Sequence, residues 1–386
     1  MHRNMGRITW RLKDIPKNVC NRIQNRYHYA KQCIMSLMYN HHMNQSYASD
    51  VCMEPIFWFV DNFTHLLGPF FVVGVAVLTA TVVYIAHWIG LPFWYNKSPL
   101  MAFALVVVGY WLLFNVIFHY YMAVTTPPGV PPDGVLIVEA VSICKKCIAP
   151  KPPRTHHCSV CNKCILKMDH HCPWLNNCVG YGNHRYFILY MVYTTIGTLF
   201  IILFGAEIGY NALWMGDGEG WLETEPLEGH PIRFNLSGHI IPVTEMNEYG
   251  DEGIIQAIHD DLPIPHELTN NAAKHRAIIF MAFICVSVTI ALGSLTIWHV
   301  KLIKRGETSI EAHINISETK RLAALGKIYT NPYDFGPRKN ILLFLGLVRK
   351  RTWWRHVLLP SPHKPEGNGL TWYTVNDVSF LQNEWP

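Results

Sequence analysis

The chain alternates between polar segments and long apolar runs. No Asp, Glu, Lys or Arg occurs between Asp61 and Lys97, between Lys97 and Asp133, between Arg185 and Glu207, or between Arg276 and Lys301. Each run holds the roughly 20 residues that a helix needs to cross a hydrocarbon core about 30 Å thick. Leu66-Leu67-Gly68-Pro69-Phe70-Phe71-Val72-Val73 opens the first, and Leu105-Val106-Val107-Val108 lies within the second. The pattern predicts four transmembrane helices, near residues 66–89, 100–122, 187–209 and 278–300. Buried helices of a soluble protein are the alternative, but a soluble domain of this size does not easily supply four such charge-free runs. Residues 1–54 are polar, so no secretory signal peptide is expected there. With His2 in second place, N-myristoylation is not expected either. The apolar run Ile341–Val348 is too short to cross and is expected to tuck against the bundle or the interface.

Composition agrees with lipid. Half of the 386 residues are hydrophobic and 15% are charged, where a soluble protein usually has about a quarter charged. The distribution of charge then orients the spans, because Lys and Arg accumulate in loops that stay in the cytosol. Residues 1–65 have eight Lys/Arg against four Asp/Glu, residues 123–186 seven against three, and residues 301–386 thirteen against seven. From Asn211 to Asn271 the balance reverses, with Arg233 alone against twelve acidic residues, among them Glu223, Glu225, Glu228, Asp251, Glu252, Asp260 and Asp261. Both termini and the 123–186 loop are therefore expected in the cytosol, and the acidic loop and the short Gly90–Pro99 connection in the lumen. The sequon Asn235-Leu236-Ser237 fits a luminal loop. Asn44-Gln45-Ser46 and Asn315-Ile316-Ser317 are the same triplet in segments assigned to the cytosol. Within the spans Asn115, His119 and Glu207 are polar, and Glu207 is expected to snorkel to water at the luminal end.

Seven of the eleven cysteines lie between Cys144 and Cys178. A disulfide framework is disfavoured by the reducing cytosol and by the odd count. Metal binding suits the spacing better. Cys144-x2-Cys147 is followed by His156, His157 and Cys158, then by Cys161, Cys164, His170, His171, Cys172 and Cys178. Thiolates two residues apart can hold one tetrahedral Zn2+, with a second half-site some ten or more residues on. Two closed sites need eight ligands. With two His among them one cysteine is left over; with one His none is. Spacing alone leaves both open, and the choice separates a structural zinc module from an enzyme.

The run Cys144-x2-Cys147, Pro152, Arg154, His157-Cys158, Cys161, Cys164, Asp169-His170-His171-Cys172-Pro173-Trp174, Asn177-Cys178 and Gly180 resembles the cysteine-rich domain of the DHHC palmitoyltransferases. It sits between the second and third of four spans, as in that family. Thr308-Ser309-Ile310-Glu311 resembles the family's Thr-Thr-x-Glu motif with Ser at the second place. Asn331-Pro332-Tyr333-Asp334-Phe335-Gly336 with Lys339-Asn340 resembles its C-terminal motif. Thr126-Pro127-Pro128-Gly129 stands where the family commonly has Asp-Pro-Gly, so the role of that Asp does not transfer. Ser142–Cys147, Gly306–Glu311 and Leu359–Ser361 narrow the resemblance to one member of the family. The acidic loop matches nothing recognised.

The resemblance implies one zinc on Cys144, Cys147, His157 and Cys164 and another on Cys158, Cys161, His171 and Cys178, both structural, leaving Cys172 free. His156 and His184 then have no metal role and read as surface or packing histidines. It implies an all-α membrane protein with four transmembrane helices and a cytosolic two-zinc cysteine-rich domain between the second and third. The expected layout is an N-terminal segment 1–65, spans over 66–122, the zinc domain 123–186 and the third span 187–209. An acidic luminal loop 210–277, the fourth span 278–300 and a cytosolic C-terminal domain 301–386 follow.

It further implies protein S-acyltransfer: a long fatty acyl group, palmitoyl, passes from acyl-CoA to Cys172 and then to cysteines of substrate proteins near the membrane. His170 lies two residues before Cys172, so on an extended backbone both point to one side while His171 points to the other, toward a zinc. His170 is then the base and Asp169 orients it. By resemblance the Ser309 hydroxyl bonds Asp169, Asn340 docks the C-terminal segment, and Trp174 lies against the thioester. Counting without gaps from Cys172, Gly197 falls where a third-helix residue of the family faces the chain tip; close helix packing is the other reason for a glycine there. The bilayer is an expected partner, nucleic acid is not, and the resemblance implies the endoplasmic reticulum or Golgi. A zinc scaffold that recruits partners without catalysis is the chief rival, but it gives Asp169 and His170 no purpose beside an unliganded Cys172. A metal transporter would need ligand clusters that the spans lack.

Overall fold

A computed structural model describes residues 15–39, 45–132, 134, 137–213, 233–234, 240–241, 266–348 and 351–377. Two compact units are distinguished, one running through Pro69 and taking in Ser159–Cys161, the other comprising the remainder from Phe70. The first contains α1 (Ile15–Tyr39), whose described side chains are mostly exposed, and the start of α2 (Gln45–Ile85).

In the second unit α2 continues through a π-helical turn, Ala86–Gly90, into α3 (Leu91–Lys97). Ser98 breaks the helix in extended conformation and caps α4 (Pro99–Thr125), whose first position is a proline; proline there gives up only an amide that the helix cannot use. The connection expected at Gly90–Pro99 is thus helical as far as Lys97, because capping chemistry and not polarity ends the helix. Pro127 and Pro128 follow the end of α4. Three antiparallel hairpins come next: β1 (Ser142–Cys144) with β2 (Ala149–Lys151), β3 (His156–Cys158) with β4 (Lys163–Ile165), and β5 (His170–Cys172) with β6 (Asn177–Val179).

Then run α5 (His184–Leu213), the short pair β7 (Arg233–Phe234) and β8 (Ile240–Ile241), α6 (His266–Lys304), α7 (Ser309–Ala323) and α8 (Pro337–Leu345). Among the described residues, four helical stretches are long and apolar enough to cross a membrane: Leu67–Lys97, Pro99–Thr125, His184–Ala212 and Ala272–Lys304. Most of the acidic segment Asn211–Asn271, including the sequon at Asn235, lies outside the described residues, and so does Asn44.

Glycine contacts hold the hairpin domain against the end of α4. The Gly182 amide donates to the Pro128 carbonyl at 2.9 Å, and a Cβ on Gly182 would collide with the Pro127 carbonyl oxygen. Asn177 Nδ2 donates to the carbonyls of Val124 and Thr126, both at 3.1 Å, covering oxygens that the helix end leaves without amide partners. α8 starts at Pro337 after Gly336 and stops at Gly346, both glycines with positive φ. The apolar run Ile341–Val348 packs against α4 and α5, with Leu345 and Leu347 beside Leu112, Leu189 and Tyr193.

Candidate active site

The register of the hairpins builds two ligand groups. His157 lies opposite Cys164 in one hairpin and His171 opposite Cys178 in another. Cys144, Cys147, His157 and Cys164 each place one ligand atom within 4.8 Å of the others, and so do Cys158, Cys161, His171 and Cys178. Two thiolates bound about 2.3 Å from one tetrahedral ion lie about 3.8 Å apart. Cys164 Sγ and Cys147 Sγ are separated by 3.8 Å. His157 Nδ1 lies 3.1 Å from Cys147 Sγ and 3.7 Å from Cys144 Sγ, and His171 Nδ1 lies 3.5 Å from Cys178 Sγ. Spacing and donor types fit two closed Cys3His zinc sites. Neither His156 nor His184 joins a group.

Of the seven cysteines from Cys144 to Cys178, Cys172 is the one in neither group. It is buried among Ala123 of α4, Leu175, Val179, and Tyr186, Phe187 and Met191 of α5, where the hairpin domain meets the helices. His170 lies two residues before Cys172 on β5, close enough for the thiol and the Asp169 carboxylate both to act on its imidazole. His170 Nδ1 donates to Asp169 Oδ2 at 2.6 Å. Asp169 is fully buried, and α7 meets it end-on: the Ser309 amide donates to Oδ1 and the Ser309 hydroxyl to Oδ2, each at 2.8 Å. A helix N-terminus favours an anion.

Burial pushes the Asp169 carboxyl up, but the hydrogen bond from His170 and the surrounding imidazoles outweigh it and hold it far below the usual carboxylate range. Burial pushes His170 down, yet the hydrogen bond to Asp169 and the neighbouring Asp169 and Cys172 groups win, raising it to about 9.

Sequence comparison points the same way. The profile of the DHHC palmitoyltransferase family matches residues 138–316. Palmitoyltransferase ZDHHC16A of Danio rerio is 41% identical over 356 residues, covering 92% of this chain and 90% of that protein. Palmitoyltransferase ZDHHC16 of Homo sapiens is 41% identical over 349 residues, covering 90% and 86%. The chain belongs to the DHHC palmitoyltransferase family. That identity over nine-tenths of the chain agrees with the narrowed resemblance read from Ser142–Cys147, Gly306–Glu311 and Leu359–Ser361. A more distant relative, probable protein S-acyltransferase 16 of Arabidopsis thaliana, is 28% identical over 290 residues, or 71% of this chain and 82% of that protein.

The remaining sequence-chosen positions of this DHHC chain spread around the centre. Trp174 is exposed, its ring 4.9 Å from that of Phe71 and its carbonyl accepting from the Tyr120 hydroxyl at 2.9 Å. Gly197 lies two turns beyond Met191 on α5, and a Cβ there would meet nothing within 4 Å, so close packing is not what calls for glycine. Asn340 is buried and donates to the Lys304 carbonyl at 2.8 Å and to Asp334 Oδ1 at 2.7 Å, while its Oδ1 accepts from the Phe335 amide. Glu207 forms an ion pair with Lys97, Nζ to Oε1 2.5 Å, where sequence suggested only a reach to water.

Sequence reads His184 only as a surface or packing histidine and does not single out His299, yet both stand beside Asp169. His184 is buried, with Nε2 4.0 Å from Asp169 Oδ1 and its ring edge-on to Phe344. His299 of α6 is buried and places a ring nitrogen in one group with Asp169 and His170. A histidine inside an apolar run was the only available signal for His299, and nothing in the spacing joins it to His170.

Proposed function

We propose that Cys172 is the nucleophile of two-step protein S-palmitoylation. One observation supports this above the rest: the cysteine outside both ligand groups is the one that His170 and Asp169 adjoin. His170 takes the thiol proton, and Cys172 Sγ attacks the thioester carbon of a fatty acyl-CoA. The carbon–sulfur bond to CoA breaks, CoA leaves as a thiol with the proton from His170, and an acyl-enzyme thioester remains. A cysteine thiol of a substrate protein then attacks that carbon, its proton passing to His170 and on to the departing Cys172. The thioester supplies the free energy, and the scheme is ping-pong.

Asp169 keeps His170 oriented and stabilises its charged form while it holds the proton in each step, and Ser309 keeps Asp169 in place. Zinc, bound in two closed sites, would supply structure and no open position for substrate. The acyl chain lies among α4, α5 and α6 along the apolar wall that includes Tyr186, Phe187 and Met191, with its tip toward Gly197 and Trp174 at the thioester. Asn340 docks the C-terminal segment. Substrates are proteins with cysteines close to the bilayer. Both termini and the hairpin domain face the cytosol, in endoplasmic reticulum or Golgi membranes, as the excess of Lys and Arg in those segments suggests.

Cells fed a palmitate analogue test the scheme. Purified wild type carries a hydroxylamine-labile label, Cys172→Ser carries none, and both hold close to two zinc equivalents. Unlabelled wild type with full zinc content means a scaffold instead.

A further inference from the structure

Residues 301–386 read as cytosolic from their charge, yet part of this segment sits beside the middle of two spanning helices. The Tyr193 hydroxyl of α5 donates to the Val357 carbonyl at 2.6 Å. Trp111 Nε1 and Asn115 Nδ2 of α4 donate to the Leu358 carbonyl at 2.9 and 3.4 Å.

Two helices give the depth. On α5 the charge-free run extends from Arg185 to Glu207, about 33 Å at 1.5 Å per residue, which matches the hydrocarbon core. Tyr193 lies eight residues inside Arg185, or about 12 Å. The Lys97–Glu207 ion pair marks the opposite edge. Trp111 lies twelve residues beyond Pro99, about 18 Å from that edge and hence about 15 Å from the Arg185 edge. Both counts place Val357 and Leu358 inside the leaflet. The chain regains the Arg185 level directly afterwards, where Arg185 Nη2 donates to the Ser361 carbonyl at 2.8 Å and the Tyr186 hydroxyl to the His363 carbonyl at 3.3 Å.

The π-helical turn Trp354–Leu358 ends here, and carbonyls that a helix end leaves open are tolerated at such depth only where protein satisfies them. Trp111, Asn115 and Tyr193 do so here, which gives the intramembrane Asn115 a task. The side chains around these carbonyls point away from the protein: Trp353 is 53% exposed, Trp354 62%, Leu358 39% and Leu359 47%. In sequence Arg349-Lys350-Arg351 precede the tryptophans and Arg355 follows them. Apolar and aromatic side chains bracketed by cations suit the acyl chains and anionic headgroups of a bilayer surface.

We propose that Thr352–Pro360 is a re-entrant wedge inserted into the lipid leaflet beside α4 and α5. Trp353, Trp354, Leu358 and Leu359 face acyl chains, and the flanking arginines face anionic headgroups. The occupant of this surface is lipid. This inference is independent of the acyl-transfer scheme.

Photo-crosslinking on the full-length protein in nanodiscs of phosphatidylcholine and phosphatidylserine tests it. Trp354→p-benzoylphenylalanine and Leu358→p-benzoylphenylalanine are irradiated and adducts are read by mass spectrometry. Phe103, exposed on α4, serves as a lipid-facing control, and Ile328, 92% exposed in the loop after α7, as an aqueous one. Phospholipid adducts at 354 and 358 as at 103, with none at 328, are expected. Adducts at 103 but not at 354 and 358 overturn the wedge, and an adduct to another protein at those positions overturns lipid as the occupant. Replacing phosphatidylserine by phosphatidylcholine should lower the yield at 354; an unchanged yield removes the anionic headgroups from the proposal.

Discussion

Asp169, His170, His171 and Cys172 are consecutive, and strand alternation divides them between two tasks. His170 and Cys172 share one side of β5, while His171 turns to Cys158, Cys161 and Cys178. Adjacent histidines should therefore fail differently. His170→Ala is expected to slow autoacylation by about 10²- to 10⁴-fold with zinc content unchanged, whereas His171→Ala should lose metal and unfold the domain, since structural zinc binding is part of the folding free energy. Metal analysis alongside single-turnover labelling separates the two. The pH profile follows from the raised His170. Its partners stabilise the charged imidazole, so that contribution is complete below about 6.5 and is lost as pH rises through about 9. Autoacylation should fall over that upper window, and Asp169→Asn, which removes the carboxylate, should move the fall to lower pH. On α5, Gly197→Leu adds a side chain where a Cβ now meets nothing within 4 Å, so under the proposed scheme the preferred acyl chain should shorten in a competition assay.

Between elements the principal tie is Arg154 to Glu311, which joins the hairpin domain to the first turn of α7. Arg154 Nε and Nη2 donate to the two Glu311 oxygens at 2.6 and 2.5 Å, and Nη2 also donates to the Gly306 carbonyl at 2.9 Å. The guanidinium lies 4.4 Å from the Tyr333 ring centroid and 4.9 Å from that of Trp372. Glu311 also closes a capping box with Thr308, so the same carboxylate starts α7 and holds it. Ser309, next in line, is thereby delivered to Asp169.

Burial pushes the Glu311 carboxyl up, but the Arg154 charge and hydrogen bonds and the Thr308 amide outweigh it and leave it lowered. Its contribution is present above about pH 4.3 and is lost as pH falls through the lowered value. Glu311→Gln leaves a buried guanidinium unpaired and should cost about 3–5 kcal/mol, read by denaturation of the zinc-loaded protein, with slower labelling because Ser309 shifts. On the same helix Asn315 is buried and engaged, donating to Glu307 Oε2 at 2.7 Å and accepting from the Tyr329 hydroxyl at 2.6 Å. A glycan on that sequon has no room.

At the scale of the whole molecule, the hairpins that carry the two ligand groups follow the second of the four long apolar helices in the chain and precede the third, and Cys172 is buried where they meet α4 and α5. Topology is the open measurement. A glycosidase-sensitive mass shift that disappears in Asn235→Gln is expected if the acidic segment is luminal, and modification at Asn44 would reverse the orientation. Much of this was legible in the chain. Charge-free runs of sufficient length report spans because lipid excludes charge, and paired cysteines report metal because the ligands are local in sequence. The Asp169–Cys172 motif was legible for the same reason, as four adjacent letters with one strand geometry. What sequence could not show depends on groups far apart in the chain: His299 beside His170, Arg154 against Glu311, and the Val357 and Leu358 carbonyls on α4 and α5. Local pattern determined which helices are long and apolar enough to cross a bilayer and which residues carry the spacing and donor atoms of metal ligands. Only tertiary packing decided which histidines surround Asp169 and how deep the C-terminal segment goes, because burial and hydrogen bonds between distant segments leave no period or spacing in the sequence.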